Sequence, residues 1–184
     1  MNVRLCVAPE ALNPGPCRVT GGDFRYLARV LRLVVGDAVT LFDGEGNEAS
    51  AKVASVDATS VTLEVGKSRP PDPPRLTITL VCALLKADKT DWILQKATEL
   101  GVHRFILTMT ERTIARLDGA RLAKRLVRWR KIAREAARQC GRADVPEVAV
   151  APTWAEALNL ASTGRDLTAG RDRDAAAALK LIFL

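Results

Sequence analysis

The fold class of the larger part of the chain is decided by the stretch LTITLVCALLKADKTDWILQKATELGVHRFILTM, Leu76 to Met109. It opens with the nearly continuous apolar and β-branched run Leu76 to Leu85, which predicts a strand covered on both faces. A helical pattern follows and is expected to end at Gly101, because glycine readily adopts the conformation that closes a helix. Phe105 to Met109 predicts the next strand. The stretch therefore indicates the strand–helix–strand unit of a parallel sheet.

The helix between these strands is predicted to begin near Asp88, which together with Asp91 resembles a capping box. The side chains expected to face the core lie at helical spacing and are Trp92, Ile93, Ala97 and Leu100. Two further tryptophans, Trp129 and Trp154, also lie on apolar stripes. We therefore expect all three indoles in the core, and base stacking is the alternative.

A long helix and a third strand, Glu147 to Val150, continue the alternation. Asp118 is the expected N-cap of this helix and Gly141 its terminator. Its apolar positions step by three and four and form one stripe: Leu122, Leu126, Trp129, Ala133, Ala136 and Cys140. Strands alternating with helices predict an α/β domain with a parallel sheet, in which ligands bind near the carboxyl ends of the strands.

The opposite side of the long helix is basic. Between Glu111 and Arg142 there are 11 Lys and Arg against 3 Asp and Glu, a net charge of +8, whereas the whole chain carries +7. The cations that share this face are Arg121, Lys124, Arg125, Arg128, Lys131 and Arg138. Only Glu135 accompanies them, so we expect cations that are not paired internally and that bind an external polyanion. A surface helix crossed by ion pairs is the alternative.

A proline-rich segment, RPPDPPR from Arg69 to Arg75, separates this region from a different pattern. Four prolines in five positions forbid a helix and remove backbone donors. We therefore predict a linker at residues 70–75 between a first domain, 1–69, and a second, 76–184.

The first domain is predicted to be a compact β module. Its alternating segments are Ala38 to Leu41, Ala49 to Val56 and Ser60 to Val65. The glycines at 44 and 46 lie between two of these strands, so residues 43–46 are expected to form a hairpin turn and not a phosphate loop. The exception is a predicted helix from Asp23 to Val34, with Phe24, Leu27, Val30, Leu31 and Val34 on its apolar face.

Composition restricts the class of protein. No run of about 18 apolar residues exists to span a bilayer, and the N-terminus lacks the pattern of a secretory signal, so a cytoplasmic protein is expected. The four cysteines are widely scattered and a single histidine, His103, accompanies them. This spacing favours reduced, buried thiols over a zinc site or a disulfide framework.

The chain resembles the RsmE family. The motifs that carry the resemblance follow in order along nearly the whole chain: YLARVLRLVVGDAVTLFDGEG (26–46), KADKTDWILQKATELGV (86–102), TERT (110–113), RWRKIAREAARQCGR (128–142) and VPEV (145–148). Members of this family methylate ring nitrogen 3 of a uridine in small-subunit (16S) ribosomal RNA. The resemblance implies an N-terminal PUA-like β-barrel, a C-terminal SPOUT-type α/β domain with a knotted S-adenosylmethionine site, and a homodimer. It implies neither a metal nor a membrane.

The sequence also departs from the family pattern. The family's glycine-rich GPEGG-type loop and its later LGxRILRxET-type segment, which hold the donor and supply a catalytic arginine, are not found. Either the C-terminal portion of the domain is incomplete, with LKLIFL (179–184) the strand that enters the knot, or the chain is a divergent form without the donor site. Smaller departures are Tyr26, where the family often has histidine, and Leu107, where proline is common.

No catalytic residue is predicted, but candidates for RNA binding are. They are Arg29, Arg32, Lys86, Lys89, Arg112, Arg121, Lys124, Arg128, Arg138 and Arg142. The resemblance favours Arg112 as a site residue, whereas Gln139 is a candidate for a dimer or site contact. For each cation the alternative is a structural role, such as compensation of a helix dipole. Two other functions stay open, a non-enzymatic RNA-binding or ribosome-assembly module and a dimer-forming scaffold.

Overall fold

A computed structural model of the chain describes residues 3–70, 76–110, 119–163 and 179–182. It divides into two compact units, Met1–Asp72 with Gly141–Asp144, and Pro73–Cys140 with Val145–Leu184. The segment Gly141–Asp144 thus belongs to the first unit, although the proline-rich linker led us to expect it in the second. Most of that linker, residues 71–75, lies outside the described residues.

The first unit contains a five-stranded mixed sheet in the order β1-β3-β4-β5-β2. Its strands are β1 Val3–Cys6, β2 Gly15–Thr20, β3 Ala38–Phe42, β4 Glu48–Val56 and β5 Ser60–Arg69. β1 runs parallel to β3, and the other pairs are antiparallel. The three predicted strands are confirmed. One face of the sheet carries the buried core of this unit, as alternation along each strand requires.

The hairpin between β3 and β4 is also confirmed. The Asp43 carboxylate accepts hydrogen bonds from the backbone N–H of Glu45, at 2.7 Å, and of Asn47, at 3.1 Å. Gly44 and Gly46 have φ values of 84° and 105°, which favour glycine. The Asp43 carboxylate therefore stabilises the turn through these hydrogen bonds.

The predicted helix Asp23 to Val34 is wrong in its bounds and in part of its face. The structure has a short helix, α1 Gly21–Phe24, followed by a π-helical segment, Arg25–Val30. Leu31 N–H donates to Tyr26 O at 2.9 Å, which is the wider turn of a π-helix. Because the 3.6-residue period does not hold here, Val30 and Val34 face solvent while Phe24 and Leu27 are buried.

The second unit contains a parallel sheet in the order β8-β7-β6-β9. Its elements are β6 Ile78–Ala83, α2 Ala87–Glu99, β7 Val102–Thr108, α3 Gly119–Cys140, β8 Glu147–Ala151, α4 Trp154–Thr163 and β9 Leu179–Ile182. The α/β class is confirmed, and β9 is the strand predicted in LKLIFL. β6 is shorter than predicted because Leu76 and Leu85 are exposed.

Side chains alternate between the two faces of this sheet. Phe105 and Leu107 belong to a core with Leu94 of α2 and Trp129 of α3, whereas Ile106 joins a second core that includes α4. Two helices therefore cover one face and α4 covers the other.

The inward face of α2 differs from the prediction. Trp92 is 62% exposed and Leu100 is 81% exposed, while Thr90, Leu94 and Thr98 are buried. The two threonines tolerate burial because the Thr98 hydroxyl donates to Leu94 O at 2.7 Å and the Thr90 hydroxyl donates to Leu85 O at 3.2 Å. The capping box is also wrong, since Lys86 is the N-cap and makes no side-chain cap bond. Gly101 does follow the helix, with φ of 94°.

The inward face of α3 agrees with the prediction at Trp129, Ala133 and Ala136, which are buried. Leu122 and Leu126 are half-buried against the same core, and Ala137 joins the stripe. The expected cap, Asp118, lies outside the described residues. Trp154 is half-buried in the α4 core.

The four cysteines are free thiols, as predicted, but the expectation that all of them are buried is wrong. Cys140 is exposed at the end of α3. Cys6, Cys17 and Cys82 are half-buried. Burial raises the pKa of the Cys82 thiol to about 11.

Candidate nucleic-acid interface

The basic face of α3 is largely solvent-exposed, as predicted. Arg121, Lys124, Arg128 and Lys131 are exposed, whereas Arg125 and Arg138 are half-buried. A 22-residue helix extends this face over about 33 Å at ~1.5 Å per residue. It therefore provides a long positive surface within the second unit.

The expectation that these cations are unpaired is wrong for two of them. Arg128 donates to one carboxylate oxygen of Asp91, on α2, from Nε at 3.0 Å and from Nη2 at 2.6 Å. Arg138 forms an ion pair with Glu135, one turn earlier on α3. The sequence does not reveal the first pair, because Asp91 fits a helix cap there and lies 37 residues from its partner.

Three cations of this face remain available. Lys124, Arg125 and Lys131 form no ion pair with any residue in the described ranges. A lysine or arginine without a local acid keeps its full attraction for a phosphate, whereas a paired one must exchange partners. The structure thus separates the predicted face into paired and available cations.

An open groove of about 580 Å³ lies between α2 and α3. Its polar lining consists of Gln95 of α2 and, along α3, Lys124, Arg128, Lys131, Glu135 and Gln139. Val127 and Ile132 contribute apolar surface. The groove therefore combines cations, amides and apolar groups, and it contains Gln139, which the sequence predicted as a contact residue.

Lys86 and Lys89 lie at the carboxyl end of β6, as predicted. Lys86 is the N-cap of α2 and Lys89 lies in its first turn, and both side chains are exposed. β6 has β7 on one side and β9 on the other, and the chain order reverses across it. This is a topological switch point, where open α/β sheets bind ligands.

Polar groups next to this point are engaged within the chain. Leu84 N–H donates to Thr108 O at 2.8 Å, which ties the loop after β6 to the end of β7. Leu85 N–H donates to the Thr90 hydroxyl at 3.1 Å. The Thr108 hydroxyl lies 3.4 Å from Met109 O. These bonds fix the backbone at the edge of the sheet.

The first unit carries its own candidates. Arg29 and Arg32 are exposed, and within residues 3–70 neither forms an ion pair. Arg32 has φ of 54°, in the left-handed region that arginine rarely adopts. Arg32 lies two residues after the end of the π-helical segment at Val30.

The remaining candidates either have contacts within the chain or lie outside the described residues. Arg142 is held by Asp144, at 3.2 Å from Nε and 2.5 Å from Nη2, within the first unit. His103 Nδ1 accepts from Ile78 N–H at 3.4 Å, and Lys96 pairs with Glu99 at 2.8 Å, so both have structural contacts. Arg112 lies outside the described residues. In the described part of the chain, no three His, Cys, Asp or Glu side chains are grouped to hold a metal.

Known protein families match both units. Residues 72–181 match the RNA methyltransferase domain family, and residues 19–66 match the RNA methyltransferase PUA domain family. No helix among the described residues is long and apolar enough to cross a membrane.

Among curated relatives, the ribosomal RNA small subunit methyltransferase E of Bacillus subtilis is 34% identical over 131 residues, which are 71% of this chain and 51% of the relative. The protein of the same name from Synechocystis is 34% identical over 157 residues, 85% of this chain and 50% of the relative. The chain thus spans about half the length of these relatives. A crystal structure of ribosomal RNA small subunit methyltransferase E from Neisseria gonorrhoeae, bound to S-adenosyl methionine, matches with a TM-score of 0.81. Its sequence is 31% identical, and the match covers 99% of this chain and 79% of that chain.

Proposed function

Because the chain belongs to the ribosomal RNA small subunit methyltransferase E family, we propose that it acts in the transfer of a methyl group from S-adenosylmethionine to 16S ribosomal RNA. The specific target that we propose is ring nitrogen 3 of a uridine. The observation that carries this proposal is the match to a donor-bound structure over nearly the whole chain.

The described residues support RNA binding most directly. Lys124, Arg125 and Lys131 are available on α3, and Arg29 and Arg32 are available on the first unit. Each phosphate that such a cation neutralises releases counterions, which adds affinity and makes binding dependent on salt. We propose these side chains, with Lys86, Lys89 and Arg121, as contacts to the RNA backbone. Arg112 remains a proposed site residue from its place in the TERT motif.

The described residues do not by themselves fit the methyl donor. S-adenosylmethionine requires polar partners for its adenine, its ribose and its charged amino-acid portion. At the carboxyl edge of β6 and β7, the Thr90 hydroxyl is engaged by Leu85 and the Thr108 hydroxyl by Met109. A donor that binds at the switch point beside β6, as we propose, therefore needs polar partners besides these two threonines.

The part of the reaction that this chain can perform is positioning. Methylation of a ring nitrogen requires the target base to leave its stack, and an enzyme holds the flanking nucleotides while it does so. Cations fixed on the long helix α3 can hold an RNA strand near the sheet of the same unit. We further propose a homodimer and a cytoplasmic location, as the family resemblance implies.

Deletion of the gene tests the proposed reaction. We expect 16S ribosomal RNA from the deletion strain to lack one 3-methyluridine, measured by mass spectrometry of its nucleosides, and a plasmid copy of the gene to restore it. Unchanged 3-methyluridine after deletion would contradict the proposed target. Loss of a different methylated nucleoside would keep the enzyme class and reject ring nitrogen 3.

Filter binding tests RNA recognition separately. We expect the purified chain to bind 16S RNA with an affinity that falls steeply as salt rises, because several phosphates are neutralised. A variant in which Arg121, Lys124, Arg125 and Lys131 are all changed to glutamine is expected to bind more weakly and with a shallower salt dependence. Equal binding by this variant and the wild type would reject α3 as an RNA surface.

A further inference from the structure

We infer that the groove between α2 and α3 is a track for single-stranded RNA, in which lysines hold the phosphates and glutamines contact the bases. This inference rests on the proposed function and names the RNA-binding groove within it. The groove is open to solvent along α3 and has a volume of about 580 Å³.

The shape of the groove suits a chain and not a compact ligand. On α3 its lining extends from Lys124 to Gln139, which is about 22 Å of helix at ~1.5 Å per residue. The side chains that contact it lie on one stripe of the helix, next to the buried stripe centred on Trp129 and Ala133. An extended polymer can follow such a stripe over several of its own repeats.

The charges in the groove are complementary to a polyanion. Lys124 and Lys131 are exposed, and within residues 76–110 and 119–163 neither has an acidic partner. Glu135 is the acid in the lining, and its carboxylate pairs with Arg138. The two available lysines therefore face the groove with little opposing charge, and lysine binds phosphate as a point charge.

Arg128 is fixed in place between these lysines. Its guanidinium makes two hydrogen bonds to Asp91 while its side chain stays 68% exposed. The pair occupies the guanidinium, so Arg128 must exchange partners before it binds a phosphate and is not counted among the cations that hold the RNA.

The groove also contains two side-chain amides. Unlike contacts to phosphate, hydrogen bonds from an amide can distinguish one base from another. Gln95 of α2 and Gln139 of α3 both line the groove, and each offers one donor group and one acceptor. Unpaired bases expose their Watson–Crick edges to such side chains, and Val127 and Ile132 provide apolar surface beside them. These two glutamines come from the QKATELGV and QCGR segments and lie 44 residues apart in the sequence, on α2 and α3.

Two double variants, one inside the groove and one outside it, test whether the groove lysines bind the RNA phosphates. The probe is a fluorescein-labelled 12-nucleotide oligouridylate, and the readout is anisotropy across a salt series. We expect Lys124→Gln with Lys131→Gln to weaken binding about tenfold near 0.15 M salt and to lower the salt slope by about 0.7 for each phosphate that is no longer neutralised on this single-stranded probe. The control is Arg130→Gln with Arg134→Gln, which removes the same charge from exposed positions of α3 outside the groove. It is expected to weaken binding less than about threefold.

Equal losses in the two double variants would overturn the inference, because they would show a general electrostatic field and no track. If the groove variant binds RNA normally but changes sedimentation, the groove holds a second copy of the chain, and the inference also fails. If the wild-type chain binds neither oligouridylate nor 16S RNA, the proposed function itself fails. The two proposals are thus tested separately.

Gln95→Met tests the contact to bases, since methionine has nearly the same shape and lacks the amide. We expect this variant to lose the preference that the wild type shows between oligouridylate and oligoadenylate, while its salt slope stays unchanged. A retained preference, or a wild type without any, would reject the role of the amide.

Discussion

Helices α2 and α3 cover the same face of one sheet, yet one exposes its tryptophan to solvent and the other buries it. Trp129 of α3 is 1% exposed at the centre of the core, whereas Trp92 of α2 is 62% exposed. Both residues fit an apolar helical pattern in the sequence. The difference is that α2 fills its inward positions with Leu94 and two threonines whose hydroxyls bond to nearby carbonyls. An apolar residue at helical spacing is therefore not always buried. A threonine whose hydroxyl bonds to a backbone carbonyl can occupy the buried position instead.

The largest expected effect comes from the buried indole. Trp129→Ala removes a fully buried side chain and leaves a cavity among Phe105, Leu107 and Val148, so the free energy of unfolding should fall by about 3–5 kcal/mol. Urea denaturation followed by far-ultraviolet circular dichroism measures the loss. A fall of less than about 1 kcal/mol would show that α3 does not depend on this contact.

The buried threonine of α2 should have an intermediate effect. Thr90→Val keeps the shape of the side chain but leaves Leu85 N–H without its partner, so we expect a loss of about 1–3 kcal/mol. The control is Ser162→Ala, which removes a hydroxyl that donates to Leu158 O at 2.9 Å from an exposed position. If both variants lose the same stability, burial of Thr90 is not the cause.

The ion pair between the two helices is expected to contribute less. In a double-mutant cycle with Asp91→Asn and Arg128→Gln, the coupling free energy should be about 0.2–1 kcal/mol, because Arg128 is well exposed and water screens the pair. Chemical denaturation of the four proteins at low and high salt measures it. A coupling that exceeds about 2 kcal/mol would mean that the pair is shielded from water.

The smallest effect is expected at the exposed indole. Trp92→Ala should change the free energy of unfolding by no more than about 0.5 kcal/mol, because most of this side chain is already in water. The same denaturation experiment compares it directly with Trp129→Ala. Similar losses for the two tryptophans would remove the contrast between the helices.

The parallel sheet and three strands of the β module were predictable because their signals are local, whereas β1 and β2 were not predicted. Alternating or continuous apolar runs define β3 to β8, and glycines with positive φ mark the turn at Gly44 and the end of α2 at Gly101. The π-helical segment was not predictable from a 3.6-residue period, which placed Val30 and Val34 inward. For the site, the basic face of α3 follows from composition and periodicity. Its division into paired and available cations does not, since Asp91 reaches Arg128 only through tertiary packing.

The place of β9 beside β6 has a consequence for folding. Ile78 pairs with Leu179, so this ladder joins segments separated by roughly 100 residues, and closure of so long a loop is entropically unfavourable until late. During synthesis the edge of β6 is left without its neighbour while β6, β7 and β8 can already associate in sequence order. A nascent chain at this stage presents an open strand edge to other nascent chains, and aggregation competes with completion of the sheet.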